Sequence, residues 1–211
     1  MIKVMLCDDH ALIRRGIRDT LSDASDIEVV GEAGDYGELR ALLRGQTCDV
    51  LVLDINMPGR SGLDVLHVLK DEGSPIKVLI VSMYPEDQYA IRALRAGAYG
   101  YVNKGGDPQI IVQAVRTVSQ GRKYVTPEIA QMLVESLTTP VPEQAHEKLS
   151  DRELQTLVMI ASGKRLSDIA EELMLSPKTV SVYRARVLEK LGLGNNSELT
   201  VYAIRNGLVG S

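Results

Sequence analysis

Cysteine is scarce. The 211 residues contain two, Cys7 and Cys48, each inside or beside an apolar run; that usage excludes a disulfide framework and a cysteine-ligated metal site, and suits reduced, packed thiols. Apolar runs are short. No window of about 18 residues could span a bilayer, and the first apolar stretch meets Asp8 and Asp9 too early for a secretory signal. A cytoplasmic protein with no membrane partner is expected. Internal repeats and low-complexity tracts are also missing, and a glycine-rich loop does not follow the first apolar run, which argues against a dinucleotide-binding domain. Charge of one sign is not dominant: residues 148–211 hold nine Lys and Arg against seven Asp and Glu, and the remainder fifteen against twenty-one. The C-terminal end is therefore the better polyanion binder, by a small margin.

What is present is a composition of 45% apolar and 25% charged residues, ordinary for a chain of one large or two small domains. Five apolar stretches recur: IKVMLC (2–7), IEVVGEA (27–33), VLVLD (50–54), KVLIVS (77–82) and YGYVNK (99–104). Between them lie segments with helical spacing, such as Leu12, Ile17 and Leu21, then Leu63, Leu66 and Leu69. Strands without strict alternation, separated by helices, indicate a parallel sheet covered on both faces. The expected fold is α/β, a doubly wound five-stranded sheet of flavodoxin-like order 2-1-3-4-5, with ligands beyond the carboxyl ends of the strands. A fifth helix capped by Asp107 and Pro108 closes this domain at 121. Residues 122–147 form a helix, opened by Thr126 and Pro127, and a Pro-rich linker. At Ser150 and Glu153 a capping box, with a Leu149/Leu154 staple, opens a small all-α domain over 148–211.

The strand tips carry the chemistry. VLVLD ends on Asp54 and breaks into a loop punctuated by Pro58, Gly59 and Gly62. In the order 2-1-3-4-5, Asp8 and Asp9 end a strand adjacent to the one that ends on Asp54, so three carboxylates share one crevice. Their repulsion is relieved by a hard divalent cation such as Mg²⁺, and beside such an ion one acid can act as a nucleophile toward a phosphoryl group. Ser82 supplies a hydroxyl and Lys104 a compact positive charge at two further tips. Taken singly, an acid after a strand is a helix cap, Ser82 a turn hydroxyl, Lys104 a solvated charge and Tyr101 packing; their joint occurrence carries the phosphoryl site. His10, His67 and Cys7 are set aside, since no second ligand lies at metal spacing.

These residues resemble the receiver domain of a two-component response regulator. The pair Asp8/Asp9, DINMPGRSG against the family's D-x-x-M-P-x-x-x-G, Ser82, and Tyr101 three before Lys104 carry the resemblance over 1–121. It implies that Asp54 accepts phosphate from a histidine kinase, and that Asp9, Asp54 and the Asn56 carbonyl bind Mg²⁺ with Asp8 acting through water. Ser82 and Lys104 would contact phosphoryl oxygens, with Tyr101 turned inward behind Ser82 as a switch. Gly105 departs from the cis proline common there; a cis non-prolyl bond costs about 3 kcal/mol, so a trans bond and a looser loop are expected. Aspartate-nucleophile phosphohydrolases are the enzymatic rival, but they need a second acid two residues on, where Asn56 stands. Enzyme turnover beyond self-directed phosphoryl transfer and hydrolysis is not expected.

Near the C-terminus, Ser176 and Pro177 cap a helix over 177–191 whose Val180, Tyr183, Val187 and Leu191 recur at helical spacing. IAEEL and a short MLSP turn precede it, a helix-turn-helix. The segment resembles a LuxR-type domain, through LSDRELQTLVMIASGK and SPKTVSVYRARVLEKLGL, which makes the whole chain similar to the NarL/FixJ regulators. Departures are Tyr183, where histidine is frequent, and RLSD (165–168). Lys178, Thr179, Arg184 and Arg186 are the candidate phosphate contacts, and Ser181, Val182 and Ala185 the candidates near base edges. A lone helix-turn-helix buries little DNA, so a homodimer on paired half-sites is expected, helped by apolar residues of the closing helix.

Overall fold

The computed structural model describes residues 1–84, 86–138 and 145–209. The linker expected over 138–147 falls largely on 139–144, outside the described residues. The chain divides into two compact units, Met1–Thr138 and Thr139–Ser211.

In the first unit, strands and helices alternate: β1 Ile2–Cys7, α1 Ala11–Ser22, β2 Ile27–Ala33, α2 Tyr36–Gly45, β3 Val50–Leu53, α3 Gly62–Asp71, β4 Lys77–Ser82, α4 Glu86–Ala96, β5 Gly100–Asn103, α5 Pro108–Ser119 and α6 Pro127–Thr138. The five strands form one parallel sheet in the order β2-β1-β3-β4-β5, as the sequence pattern predicts. Burial on both faces explains why the strands read as continuous apolar runs. Val4, Leu6, Val50, Val52, Leu79 and Val81 meet Ile17 and Leu21 of α1 and Val112, Val115 and Val118 of α5. Intervening residues such as Met5, Leu51 and Ile80 are equally buried.

The ladder runs on past the strands. The Asp8 N–H donates to the Ala33 carbonyl (3.0 Å), Asp54 N–H to Cys7 O (2.9 Å) and Lys104 N–H to Ser82 O (2.8 Å). Three polar side chains are thus fixed at the sheet's carboxyl edge by main-chain bonds that apolar residues would make equally well. Gly62 ends the loop after Asp54. A Cβ there would lie 2.0 Å from the Asp54 carbonyl oxygen, so its hydrogen side chain lets α3 start against the turn. Ser61 caps that helix in a reciprocal box with Asp64. Among the described residues no peptide bond is cis, Lys104–Gly105 included.

α6 belongs to the first unit. The Tyr124 N–H donates to Tyr99 O (2.8 Å) beside β5, and α6 then packs on α4 with Ile129 fully buried. In the second unit a 3₁₀ turn Ala145–Lys148 leads to α7 Asp151–Ala161, α8 Leu166–Glu172, α9 Pro177–Leu191 and α10 Asn196–Arg205. The capping box of Ser150 and Glu153 forms, and Leu149 and Leu154 are both buried. α7 packs on α9 and α10, and α8 on α9, around Leu157, Ile169, Val180, Val187 and Leu199.

Gly62→Ala should cost about 3 kcal/mol, because the clash is with backbone that cannot rotate away. Gly59 has φ of +71° but open space around it, so Gly59→Ala should cost about 1 kcal/mol. Denaturant midpoints of the two variants check the ordering, and equal losses would contradict it.

Candidate functional site

At the carboxyl edge the β1, β3, β4 and β5 tips converge. Lys104 Nζ lies 2.6 Å from Asp8 Oδ2 and 2.8 Å from Asp54 Oδ2, with its side chain 4% exposed. Asp8, Asp54 and Ser82 are buried as well. The ammonium sits between two carboxylates that would otherwise repel each other in a low-dielectric setting. Burial pushes the Asp54 carboxyl up to about 6; Lys104 opposes that, Asp8 adds to it, and hydrogen bonds from Lys104 and the Asn56 backbone again favour the charged form. Asp54 is therefore a basic carboxylate by carboxylate standards. Cys7, just below, is no rival nucleophile, because burial and then the charge of Asp8 push its thiol up to about 12.

Asp8, Asp9, His10 and Asp54 each offer a ligand atom, all within 4.8 Å of one another. Three of the four are hard carboxylate oxygens, a donor set that fits Mg²⁺. Two contacts hold the acid pair. The Arg14 guanidinium donates to the Asp8 carbonyl and stands 3.4 Å from Glu32, while the His10 N–H donates to Asp8 Oδ1 at 2.8 Å. On the far side, Ser82 Oγ accepts from the Tyr84 N–H (3.3 Å). Tyr101 is fully buried, and its hydroxyl donates to the Tyr84 carbonyl (2.7 Å). Burial pushes that hydroxyl's pKa up, against a hydrogen bond with Ser82.

In the second unit, Ser176 caps α9 by accepting from the Thr179 N–H, Pro177 fills the first turn, and Gly192 ends the helix in a left-handed conformation. Lys178, Ser181, Val182, Ala185 and Arg186 lie exposed on one face, opposite the buried Val180 and Val187. The other two candidates sit apart. The half-buried Thr179 shares its hydroxyl with Ser176 at 2.8 Å, and the half-buried Arg184 donates through Nε to Asn196 at the start of α10.

Comparison with known proteins matches residues 4–116 to the response regulator receiver domain and 147–203 to the bacterial regulatory proteins of the luxR family. The response regulator UvrY of Escherichia coli K12 is 40% identical over 209 residues, covering 99% of this chain and 96% of UvrY. The response regulator GacA of Pseudomonas aeruginosa is 40% identical, covering 99% and 98%. This chain belongs to the NarL/FixJ family of response regulators. Its fold also resembles RcsB of Salmonella enterica serovar Typhimurium bound to promoter rprA in the presence of the phosphomimetic BeF₃⁻, with a TM-score of 0.64, 26% identity, and 95% and 97% of the two chains covered. Like these transcription regulators, this response regulator joins a receiver to a LuxR-type DNA-binding domain. Its relatives are response regulators and not conventional enzymes.

Some neighbours of the site were not legible in the sequence. His10, set aside for want of a partner, has Nδ1 at 2.7 Å from Asp9 Oδ1 and 3.6 Å from Asp8 Oδ1. Its adjacency to the acid pair was the available signal. Lys190 pairs at 2.6 Å with the buried Glu153, tying α9 to the start of α7. Met174, in the turn between α8 and α9, has φ of +50°, and no glycine marks the place.

The shifted Asp54 makes a pH prediction with a definite sign. From about pH 4 to about pH 6 the folded chain holds a proton that the unfolded carboxyl, at 3.8, has released. The group's contribution to stability is thus full below that window and lost as pH rises through it. Asp54→Asn cannot titrate, so in a chelating buffer it should gain stability relative to wild type between about pH 4.5 and pH 7.5. Denaturant midpoints at both values check this; a pH-independent difference contradicts the shift.

Proposed function

We propose that Asp54 accepts a phosphoryl group from a sensor histidine kinase and that the modified protein regulates transcription by binding DNA through α9. The observation that carries this reading is the Lys104 ammonium 2.8 Å from Asp54 Oδ2, at a crevice edge that also holds Ser82. A carboxylate oxygen attacks phosphorus, and the bond to the donor's leaving group breaks. Ser82 and Lys104 then donate to phosphoryl oxygens, Lys104 giving up its bonds to the acids. Asp9, Asp54 and the Asn56 carbonyl would hold Mg²⁺, with Asp8 through water; the ion supplies neutralisation of the phosphoryl charge. Turnover of other substrates is not part of this reading, since Asn56 stands where a phosphohydrolase needs its second acid.

Phosphorylation adds close to two negative charges and three acceptors. Each hydrogen bond to a charged group contributes about 1.5–3 kcal/mol, and driving a two-state equilibrium from about 1:99 to 99:1 takes about 5.5 kcal/mol. Three such bonds from Ser82, Lys104 and nearby amides, about 4.5–9 kcal/mol together, bracket that figure, whereas two reach it only at the top of the range. With Tyr101 already inward, the moving part is Ser82, whose hydroxyl turns from its bonds with the Tyr84 N–H and Tyr101 toward the phosphoryl group.

We assign 1–121 to the receiver, 122–147 to helix and linker, and 148–211 to DNA binding. Lys178 and Arg186 are placed on phosphates, Ser181, Val182 and Ala185 near base edges, and Thr179 and Arg184 on phosphates at the helix flanks, where Ser176 and Asn196 orient them. RcsB's seat on a promoter with a phosphomimetic supports this output. A homodimer on paired half-sites fits the small surface of one helix-turn-helix. No described helix is long and apolar enough to cross a membrane, and a reduced thiol pair with a DNA partner suits the cytoplasm.

With Mg²⁺ and a small phosphodonor, wild type should shift toward a dimer and bind DNA more tightly, while Asp54→Asn should do neither. A variant that still responds would overturn the assignment. Lys178→Ala should weaken binding to all sequences alike and reduce the salt slope by about 1. Salt titrations on two unrelated duplexes measure it, and a change in base preference alone would remove Lys178 from the phosphate contacts.

A further inference from the structure

Thr126 and Glu86 occupy a junction that the phosphoryl site and α9 do not account for. Thr126 Oγ1 accepts from the Ile129 N–H (3.3 Å), capping α6, and the same hydroxyl donates to Glu86 Oε2 (2.9 Å), the first residue of α4. Both residues are half-buried. Beside them Tyr124 is pinned to Tyr99 on the β5 edge, at a point where a Cβ on Gly100 would lie 2.9 Å from the Tyr124 carbonyl. α6, which packs on α4 through Ile129, is also anchored at its start by a charge-assisted bond to Glu86. That segment also reports on the site. The Tyr84 N–H donates to Ser82 Oγ, and the Tyr84 carbonyl accepts from the Tyr101 hydroxyl and from Asn103 Nδ2 (3.2 Å).

We propose that the Glu86–Thr126 bond is a latch that holds α6 on the receiver until Ser82 is drawn to a phosphoryl group. The proposal rests on the phosphoacceptor reading of Asp54. When Ser82 Oγ leaves the Tyr84 N–H for a phosphoryl oxygen, Tyr84 loses one of its ties, and the start of α4 shifts with it. The Glu86 carboxylate then withdraws from the α6 cap. Thr126 keeps the bond from Ile129, so the cap survives, while the first turns of α6, no longer held by Glu86, open more often. Since α6 is the last element of the first unit, this loosening changes the tether of the DNA-binding domain. Glu86 and Thr126 are positioning residues; neither touches the reacting atoms.

The test uses the full chain, Mg²⁺ and acetyl phosphate, with amide hydrogen exchange read along 128–134 and the label on Asp54 read by mass. In wild type, phosphorylation should lower protection there about tenfold, the equivalent of one charge-assisted bond. Glu86→Gln, which preserves the cap, should show low protection before acetyl phosphate is added and little further change. Thr126→Val should do the same, and Thr126→Ser should behave as wild type. A purely structural cap would shift the basal level in Thr126→Val and leave wild type indifferent to phosphorylation; that result overturns the latch. Labelled Asp54 with unchanged protection in wild type overturns the latch alone, and no label on Asp54 overturns the phosphoacceptor reading together with it.

Discussion

The structure depends on one buried ammonium. Asp8 and Asp54 end adjacent strands at a depth where two uncompensated carboxylates would cost several kcal/mol each, and Lys104 reaches both from the far edge of the sheet. That contact ties β5 to β1 across the width of two strands and fixes which side of the sheet can do chemistry. It also sets a threshold. A ligand that draws Lys104 away must replace what both acids lose, which a divalent cation with a phosphoryl group can do and a neutral ligand cannot.

Around this contact the backbone leaves little freedom. The N–H groups of Asp8, Asp54 and Lys104 are each spent on a neighbouring strand's carbonyl, so the side chains leave the sheet at fixed heights. The turn after Asp54 buries its own Ile55 and Met57, and at its end Gly62 lies too close to the Asp54 carbonyl for any side chain. Rigid tips on a two-faced core suit a switch, because a sub-ångström displacement at Ser82 is passed on by packed neighbours and not absorbed by slack.

Much of this could be read from the sequence, and the reason is contrast. A buried parallel strand is a run of apolar residues, so Asp54 or Lys104 at its end stands out, and strand order then converts positions far apart in sequence into one crevice. Caps were equally legible: Asp107, Ser150 and Ser176 are local signals that need only a few residues to act. Contacts made by long side chains across elements were not. Nothing near Arg184 announces Asn196, nothing near Lys190 announces Glu153, and Thr126 reads as a helix cap whether or not Glu86 is there. The left-handed Met174 is hidden for a different reason: the N–H groups of Met174 and Leu175 turn back to the carbonyls of Glu171 and Ala170 and close α8 through a position that glycine usually fills.

The same logic explains why the two halves are built so differently. The receiver buries Asp8, Asp54 and Ser82 at its strand tips, where each is expensive to bury and therefore responsive to a change of charge. The second unit buries polar groups too, Arg152, Glu153, Gln155 and Thr156, but all on α7 and away from the exposed face of α9, and Lys190 ties the two helices by reaching Glu153. A reading helix must hold its shape in every state, since groove contacts are made with a rigid face. A receiver must have two states close in free energy, which buried charges held by ion pairs at the strand ends provide and an apolar edge would not. The two halves therefore differ in where their candidate groups lie: at the receiver's strand tips the charge is buried, and on one face of α9 it is exposed.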